Sequence, residues 1–410
     1  MRKIREVEKN DYASYFIISM IIFLSSSFVI TNSIYPSFIT IGLWFFTFVY
    51  IIVKNIYTQF DNIYNIIVIV ILMMITTIIN KEEIRPFVLI TFTYLSTYIF
   101  AESIDFEKFR KAFVTVVYIL CIISLICFSA YLIIPALSKI NVVYNVHGEK
   151  YSNLFIYVNT NRYIRNTGIF WEPGAFQTFI NLACLLEISK DNINIKKVLI
   201  FFLTDITTYS TTAYLTMIFL IILFYIKQEK SSKKKKIMSL FLGVVLIFVY
   251  FNQDVLFGSS FNGQITVFGK LSNFDADSSD SIGEGSASVR YNAIIQPIIC
   301  FFQKPLFGNG NNGLALKTYD YTSGMNTCTF VNYFAVFGLL YGSIMTVGII
   351  RFLKKCYYNL MEVIVALIIF FFCTMSENYI SNTAILLFIL LGLKKEMILN
   401  EEVHNENSLH

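Results

Sequence analysis

Charge is what this sequence has least of. Asp, Glu, Lys and Arg make up 14% of its 410 residues, where a soluble chain carries about 25%. With 56% hydrophobic residues and a mean hydropathy of +0.63, that deficit excludes an ordinary cytosolic enzyme. It also excludes disorder, which needs low hydrophobicity and high net charge. Histidine is scarcer still: His147, His404 and His410, the last two in a polar tail. A histidine-based metal cluster is therefore excluded by counting. No CxxC pair exists among Cys121, Cys127, Cys184, Cys300, Cys328, Cys356 and Cys373, and most lie inside apolar runs. They read as small buried hydrophobes. The net charge of +5 is no argument for nucleic acid, because the basic residues flank the apolar runs.

What the chain has is long apolar runs, near 12–31, 35–53, 62–79, 86–101, 112–135, 173–189, 198–226, 237–252, 327–350, 361–376 and 378–393. Each is long enough, or nearly so, for a ~30 Å hydrocarbon core. Strands need no such length, so these are helices. Arg2, Lys3, Arg5 and Lys9 precede the first run, which shows no small-residue cleavage site and reads as an uncleaved helix. The expected fold class is all-α: a polytopic membrane helix bundle of about 12 transmembrane segments with two larger extracytoplasmic loops.

Lysine clusters give the orientation. Lys227, Lys230 and Lys233–Lys236 are the densest, and Lys196 with Lys197, Arg351 with Lys354 and Lys355, and Lys394 with Lys395 agree; all belong on the cytoplasmic side. The run 198–226 then starts and ends inside, yet is too short for two full crossings. Thr207-Thr208-Tyr209-Ser210-Thr211-Thr212 interrupts it. Two short helices that dip in and return are expected, with the break as a candidate cavity wall. The plainer alternative is a Thr-rich helix whose hydroxyls bond back to their own backbone. The chain thus divides into N-terminal helices (1–135), a first outer loop (136–171), central helices with the broken hairpin (172–252), a large outer loop (253–326), C-terminal helices (327–397) and a cytoplasmic tail (398–410). Serine- and glycine-rich residues 278–288 read as a loop tip.

The first outer loop carries Arg162, Arg165 and then Gly168-Ile169-Phe170-Trp171-Glu172-Pro173-Gly174. Proline suits a first helical position and a carboxylate suits the positive dipole end, so Glu172 is either a cap or a base. Arginine forks match diphosphate oxygens; the alternative is anchoring to lipid headgroups. In the second loop Arg290 heads an amphipathic segment that runs into Lys304-Pro305-Leu306-Phe307-Gly308-Asn309-Gly310-Asn311-Asn312-Gly313. That contains a formal GxGxxG, but a dinucleotide fold requires a preceding strand and a cytosolic cofactor. A glycine-rich turn holding the arginine segment against the bundle is expected instead. Asp275-Ala276-Asp277, with Asp280 nearby, is a DxD triplet in an outer loop where nucleotide sugars are not supplied, and reads as a solvated acidic tip. Asn326, Asn332, Glu377 and Asn378 stand at helix ends. The helix interiors contain almost no charge, which argues against an ion-driven pump.

Together these pieces resemble the bacterial polysaccharide polymerases of O-antigen and capsule pathways (the Wzy type) and, more loosely, the O-antigen ligases. The resemblance rests on the topology, on Arg165 with the Gly168–Gly174 segment, and on Ser288-Val289-Arg290 followed by Pro305–Gly310. Ser210 occupies the place of a ligase serine–arginine pair, without the arginine, and Val331-Asn332 that of a histidine–asparagine pair. The resemblance implies transfer of a glycan from undecaprenyl diphosphate to the next lipid-linked repeat unit, on the outer face of the bacterial cytoplasmic (inner) membrane, crossed many times. Arg165, Arg290 and Glu172 are the expected catalytic residues; Arg162, Asn332, Glu377 and Ser210 the expected substrate contacts. For the base, Glu377 and His147 are alternatives to Glu172. No cofactor, metal or nucleic acid is implied. The implied partners are the lipid-linked oligosaccharide, membrane lipids, a chain-length regulator and a flippase. The rival functions are a lipid-linked oligosaccharide flippase and a ligase-like glycan transferase.

Overall fold

The computed structural model describes residues 2–32, 36–53, 63–145, 148–160, 164–227, 243, 286–322 and 326–394. Arg162, His147, the Asp275–Asp277 triplet, the lysines at 230–236, nearly all of run 237–252, the tail and the side chain of Arg290 lie outside the described residues.

Within them the chain is mostly helical, with fifteen helices. They are α1 Arg2–Leu24, α2 Phe28–Thr31, α3 Pro36–Val53, α4 Ile63–Ile79, α5 Ile84–Ser103, α6 Phe106–Ile133, α7 Pro173–Ile188, α8 Ile195–Thr208, α9 Thr211–Lys227, α10 Ser286–Gln303, α11 Asn311–Thr322, α12 Thr329–Phe337, α13 Leu339–Cys356, α14 Leu360–Cys373 and α15 Thr383–Leu393. Two of them, α5 and α6, are long and apolar enough to cross a membrane.

Helices α7 and α15 are buried along every residue, as expected of helices apolar on all sides. Around Phe388 of α15 stand the rings of Phe109, Phe113, Phe352 and Phe370. Gly348 and Gly392 let α13 and α15 approach backbone to backbone: a Cβ on Gly392 would meet the Gly348 carbonyl. Apolar side chains instead face outward from α3 (Phe45, Phe46), α4 (Ile67, Ile71, Ile78) and α6 (Ile119, Ile123, Ile126). All seven cysteines are buried and free.

The bundle has two chemically distinct ends. At one, Lys190 pairs with Glu187 at 2.6 Å, Arg110 donates to Ser189 Oγ at 3.3 Å, and Lys227 donates to the Ser189 carbonyl. There too Lys355 donates to the carbonyls of Leu391 and Lys394. At the other end Asn382 Nδ2 meets Ser26 Oγ at 3.1 Å, and Thr329 Oγ1 donates to the Glu377 carbonyl at 2.8 Å.

The segment 136–171 is not an irregular loop, so the fold is not purely helical. It forms a four-stranded antiparallel sheet in the order β1 Val142–Tyr144, β2 Lys150–Leu154, β3 Ile156–Asn159 and β4 Arg165–Gly168. Valine, isoleucine and tyrosine favour such pleated positions. Ile156 and Val158 pack on Phe128 and Tyr131 of α6, and Tyr157 stacks on Phe28 at 4.0 Å. Strand β4 sinks into the bundle. Asn166 Nδ2 donates to Ser124 Oγ of α6 at 3.2 Å and to Thr207 Oγ1 of α8 at 2.9 Å, and Ser124 lies roughly 14 Å below the end of α6 at 1.5 Å per residue.

Helices α8 and α9 form the expected hairpin. Asn194, the N-cap of α8, donates its backbone N–H to Glu187 Oε1 at 2.9 Å, and α9 ends with Lys227 at Ser189. Both feet therefore stand at the basic end. The break is narrower than the sequence suggests: only Tyr209 (φ 50°) and Ser210 leave the helices. The threonines bond back to their own backbone, Thr207 to Thr204 O at 2.6 Å and Thr208 to Asp205 O at 2.7 Å, so the plainer expectation holds alongside the break.

Run 327–350 is likewise broken, at Gly338 (φ 87°). The Lys304–Gly310 segment fills the notch. Asn309 N–H donates to Ala335 O at 2.9 Å, Gly310 N–H to Val336 O at 3.0 Å, and Leu339 N–H to Pro305 O at 2.7 Å. A Cβ on Gly308 would strike Val336 O, and one on Gly338 would strike Leu306 O. Here the glycines permit a backbone-to-backbone clasp, and no nucleotide loop is formed. The interior also holds more carboxyl groups than its apolar runs advertise: Glu102, Glu187 and Asp205 are all buried.

Candidate functional site

Glu172 stands at the N-cap of α7 in extended conformation, with Pro173 at the first helical position. Its side chain makes no capping hydrogen bond. The carboxylate folds back over Gly174, where a Cβ would collide with Oε1; the same position borders Ser376. Beneath it runs a hydroxyl network. Ser376 Oγ donates to Gly174 O at 3.0 Å, Thr178 Oγ1 contacts Ser376 Oγ at 3.1 Å, and Tyr379 O–H donates to Thr178 Oγ1 at 3.1 Å.

Tyr379 follows Glu377 by two residues, and its phenol reaches Thr178 of α7 beneath Glu172. Glu377 is held through its backbone: its carbonyl accepts from Thr329 Oγ1, and Tyr379 N–H donates to the same hydroxyl at 2.7 Å. On the sheet side, Tyr151 O–H donates to the Trp171 carbonyl at 2.8 Å and to Glu149 Oε2 at 3.2 Å. Burial, then the Glu149 carboxylate and to a lesser extent Glu172, holds that phenol above its ordinary value.

Asn332 is one helical turn beyond Thr329 but points into the core. Its Nδ2 donates to Asn326 O at 2.6 Å, and its Oδ1 has no partner among the described residues. Asn326 Oδ1 in turn accepts from Thr318 and Thr322 of α11. Asn332 therefore ties α12 to the turn before it and is not at an open surface.

Arg165 and Ser210 form a second group. Arg165 Nε donates to Thr208 O at 3.1 Å, and Nη2 donates to Tyr209 O at 3.2 Å. These are C-terminal carbonyls of α8, which have no partner inside their own helix and sit at the negative end of its dipole. The guanidinium caps the hairpin tip. Ser210 is buried; its Oγ lies 2.8 Å from Thr212 Oγ1, and its N–H donates to Thr208 Oγ1. Arg290 lies near the N-terminal end of α10 by its backbone.

The structure thus puts Glu172 beside Ser376, next in the chain to Glu377, and puts Arg165 on the strand that leads to Glu172. It also adds Tyr379, Ser376, Thr178 and Tyr151. A polar run, Ser376-Glu377-Asn378-Tyr379, interrupting apolar sequence was the legible signal for Ser376 and Tyr379; Thr178 and Tyr151 had none. Among the described residues no group of His, Cys, Asp and Glu is arranged to hold a metal ion. No protein-family model, curated protein or solved structure matches the chain.

Proposed function

We propose that the chain is a multi-pass protein of the bacterial inner membrane, with about twelve crossings, that polymerises a lipid-linked glycan. The reading as a membrane protein is supported by the outward-facing apolar side chains of α3, α4 and α6 and by basic residues gathered at one end of the bundle. The observation that carries the reading as an enzyme is the Glu172 carboxylate folded over Gly174 beside Ser376, the residue before Glu377, at the end opposite Lys190, Lys227 and Lys355.

In this reading the acceptor sugar hydroxyl attacks the anomeric carbon of the donor glycan. Its O–H proton passes to Glu172, and the bond from that carbon to undecaprenyl diphosphate breaks. Glu377, next in the chain to Ser376, orients the acceptor. Arg165 and Arg290 stabilise the charge that grows on the leaving diphosphate; loss of one such donor costs roughly 3–4 kcal/mol, or 10²–10³ in rate. The diphosphate carries the activation, so no nucleotide is consumed.

The test is the purified chain in lipid nanodiscs with a defined undecaprenyl-diphosphate-linked repeat unit. A ladder of products differing by one repeat unit is expected. Unchanged repeat unit with folded protein would overturn the proposal. The buried acid Asp205 favours one second reading, a transporter of the lipid-linked unit. Loss of a polymerase leaves single repeat units on the cell surface, whereas loss of a transporter leaves none.

A further inference from the structure

Asp205 lies in α8, one turn before the hairpin tip, and is 1% exposed. Neither carboxyl oxygen has a hydrogen-bond partner among the described residues. Helix α8 packs against α6, α7 and α9. The groups that interact electrostatically with Asp205 are Cys121 of α6, Asn181 and Cys184 of α7, Tyr214 of α9 and Cys373 of α14. Asn181 Nδ2 is engaged with Gln177 Oε1 at 2.9 Å. Of the charged groups nearby, Glu187 bears on Cys184 and Arg165 on Tyr214; the groups facing Asp205 itself are thiols, a phenol and an amide. An ionised carboxylate taken from water into such a pocket carries a desolvation cost, against which the one opposing group is the Asn181 side-chain amide. Taking up a proton removes that cost. Acids inside membrane helices mark proton relays or ion and substrate pathways.

We propose that Asp205 is a proton-binding site, occupied in the folded protein at neutral pH, and that its proton keeps the α8–α9 hairpin seated. The site is independent of the polymerase reading. A charge at Asp205 would weaken the packing of α8 against α6 and α7. The hairpin tip, with the Thr208 and Tyr209 carbonyls that Arg165 holds, follows directly in the chain. Proton occupancy thereby controls whether Arg165 stays engaged at the tip.

The probe is dicyclohexylcarbodiimide, a neutral apolar reagent, applied to the full chain in nanodiscs. The acid's O–H proton moves to a carbodiimide nitrogen and the carboxylate oxygen adds to the central carbon. An acyl shift to nitrogen then leaves a stable N-acylurea with no atoms lost. Peptide mass spectrometry should find the adduct on Asp205 at pH 7, decreasing as the pH rises, and absent in Asp205→Asn. Asp205→Asn, which mimics the neutral acid, should melt within a few degrees of the parent. An unlabelled Asp205 while exposed carboxyls react would overturn the proposal. So would an Asp205→Asn variant that folds only poorly, since that would show that the ionised form is required. Protection of Asp205 by sodium at constant pH would replace the proton by a metal cation and likewise overturn it.

Discussion

The guanidinium of Arg165 donates to two consecutive carbonyls, Thr208 O at 3.1 Å and Tyr209 O at 3.2 Å. A side chain expected to face a diphosphate thus also holds the tip of a hairpin that starts from the opposite end of the bundle. Its planar fork suits both tasks, and the two can be separated by substitution.

Arg165→Ala should cost about 3 kcal/mol of stability, since hydrogen bonds involving a charged group contribute about 1.5–3 kcal/mol each. Arg165→Lys supplies the charge but cannot span both carbonyls. It should recover part of the melting temperature and leave glycan polymerisation at least about tenfold reduced. Thermal unfolding and a product ladder on the same preparations decide this. Full activity in the lysine variant would remove Arg165 from the site.

Gly174→Ala tests the fold of Glu172. Alanine is the better helix former, but its Cβ would take the place of the Glu172 Oε1. The carboxylate must swing away, and turnover should decrease by about 10²-fold, as when a positioned base is lost. Glu172→Gln should do the same with an unchanged melting temperature. If Gly174→Ala kept full turnover, the folded-back position of the carboxylate would be irrelevant to catalysis.

Glycine substitutions should also rank by contact. Gly308→Ala and Gly338→Ala place a Cβ against a backbone carbonyl at φ of +67° and +87°, and each should cost several kcal/mol or prevent folding. Gly313→Ala, in α11 with nothing near its Cβ, should stabilise by about 0.5–1 kcal/mol. Equal melting temperatures for all three variants would contradict the clasp.

Orientation is open to cysteine labelling against a background of seven buried thiols. Phe155→Cys, at the exposed β2–β3 turn, should react with an impermeant maleimide in spheroplasts. Asn192→Cys, between α7 and α8, should react only after the membrane is opened. Equal reactivity of the two would reverse or discard the topology.

The hairpin was legible because lysines flank both ends of a run too short to cross twice. The glycine-rich turn was legible from its spacing. The sheet was not: Val142, Tyr151 and Val158 lie in a segment too polar to read as a membrane helix, and short strands between turns leave only a weak pattern. Nor could the sequence place Glu172 beside Ser376, because that contact is made by the packing of α7 against the end of α14 and depends on no local signal. Asp205 was hidden by its setting, a single acid whose neighbours kept the mean hydropathy of the run high.

The contact between Gly308 and Gly338 also has a mechanical consequence. Two backbones that touch with no side chain between them have no slack. A tilt of α10, which carries Arg290, must be matched by a bend where α12 meets α13, and Asn332 rides on the short arm beyond that bend. Residues 304–310 and the α12–α13 junction are thus joined at one fulcrum, through backbone rather than side chains.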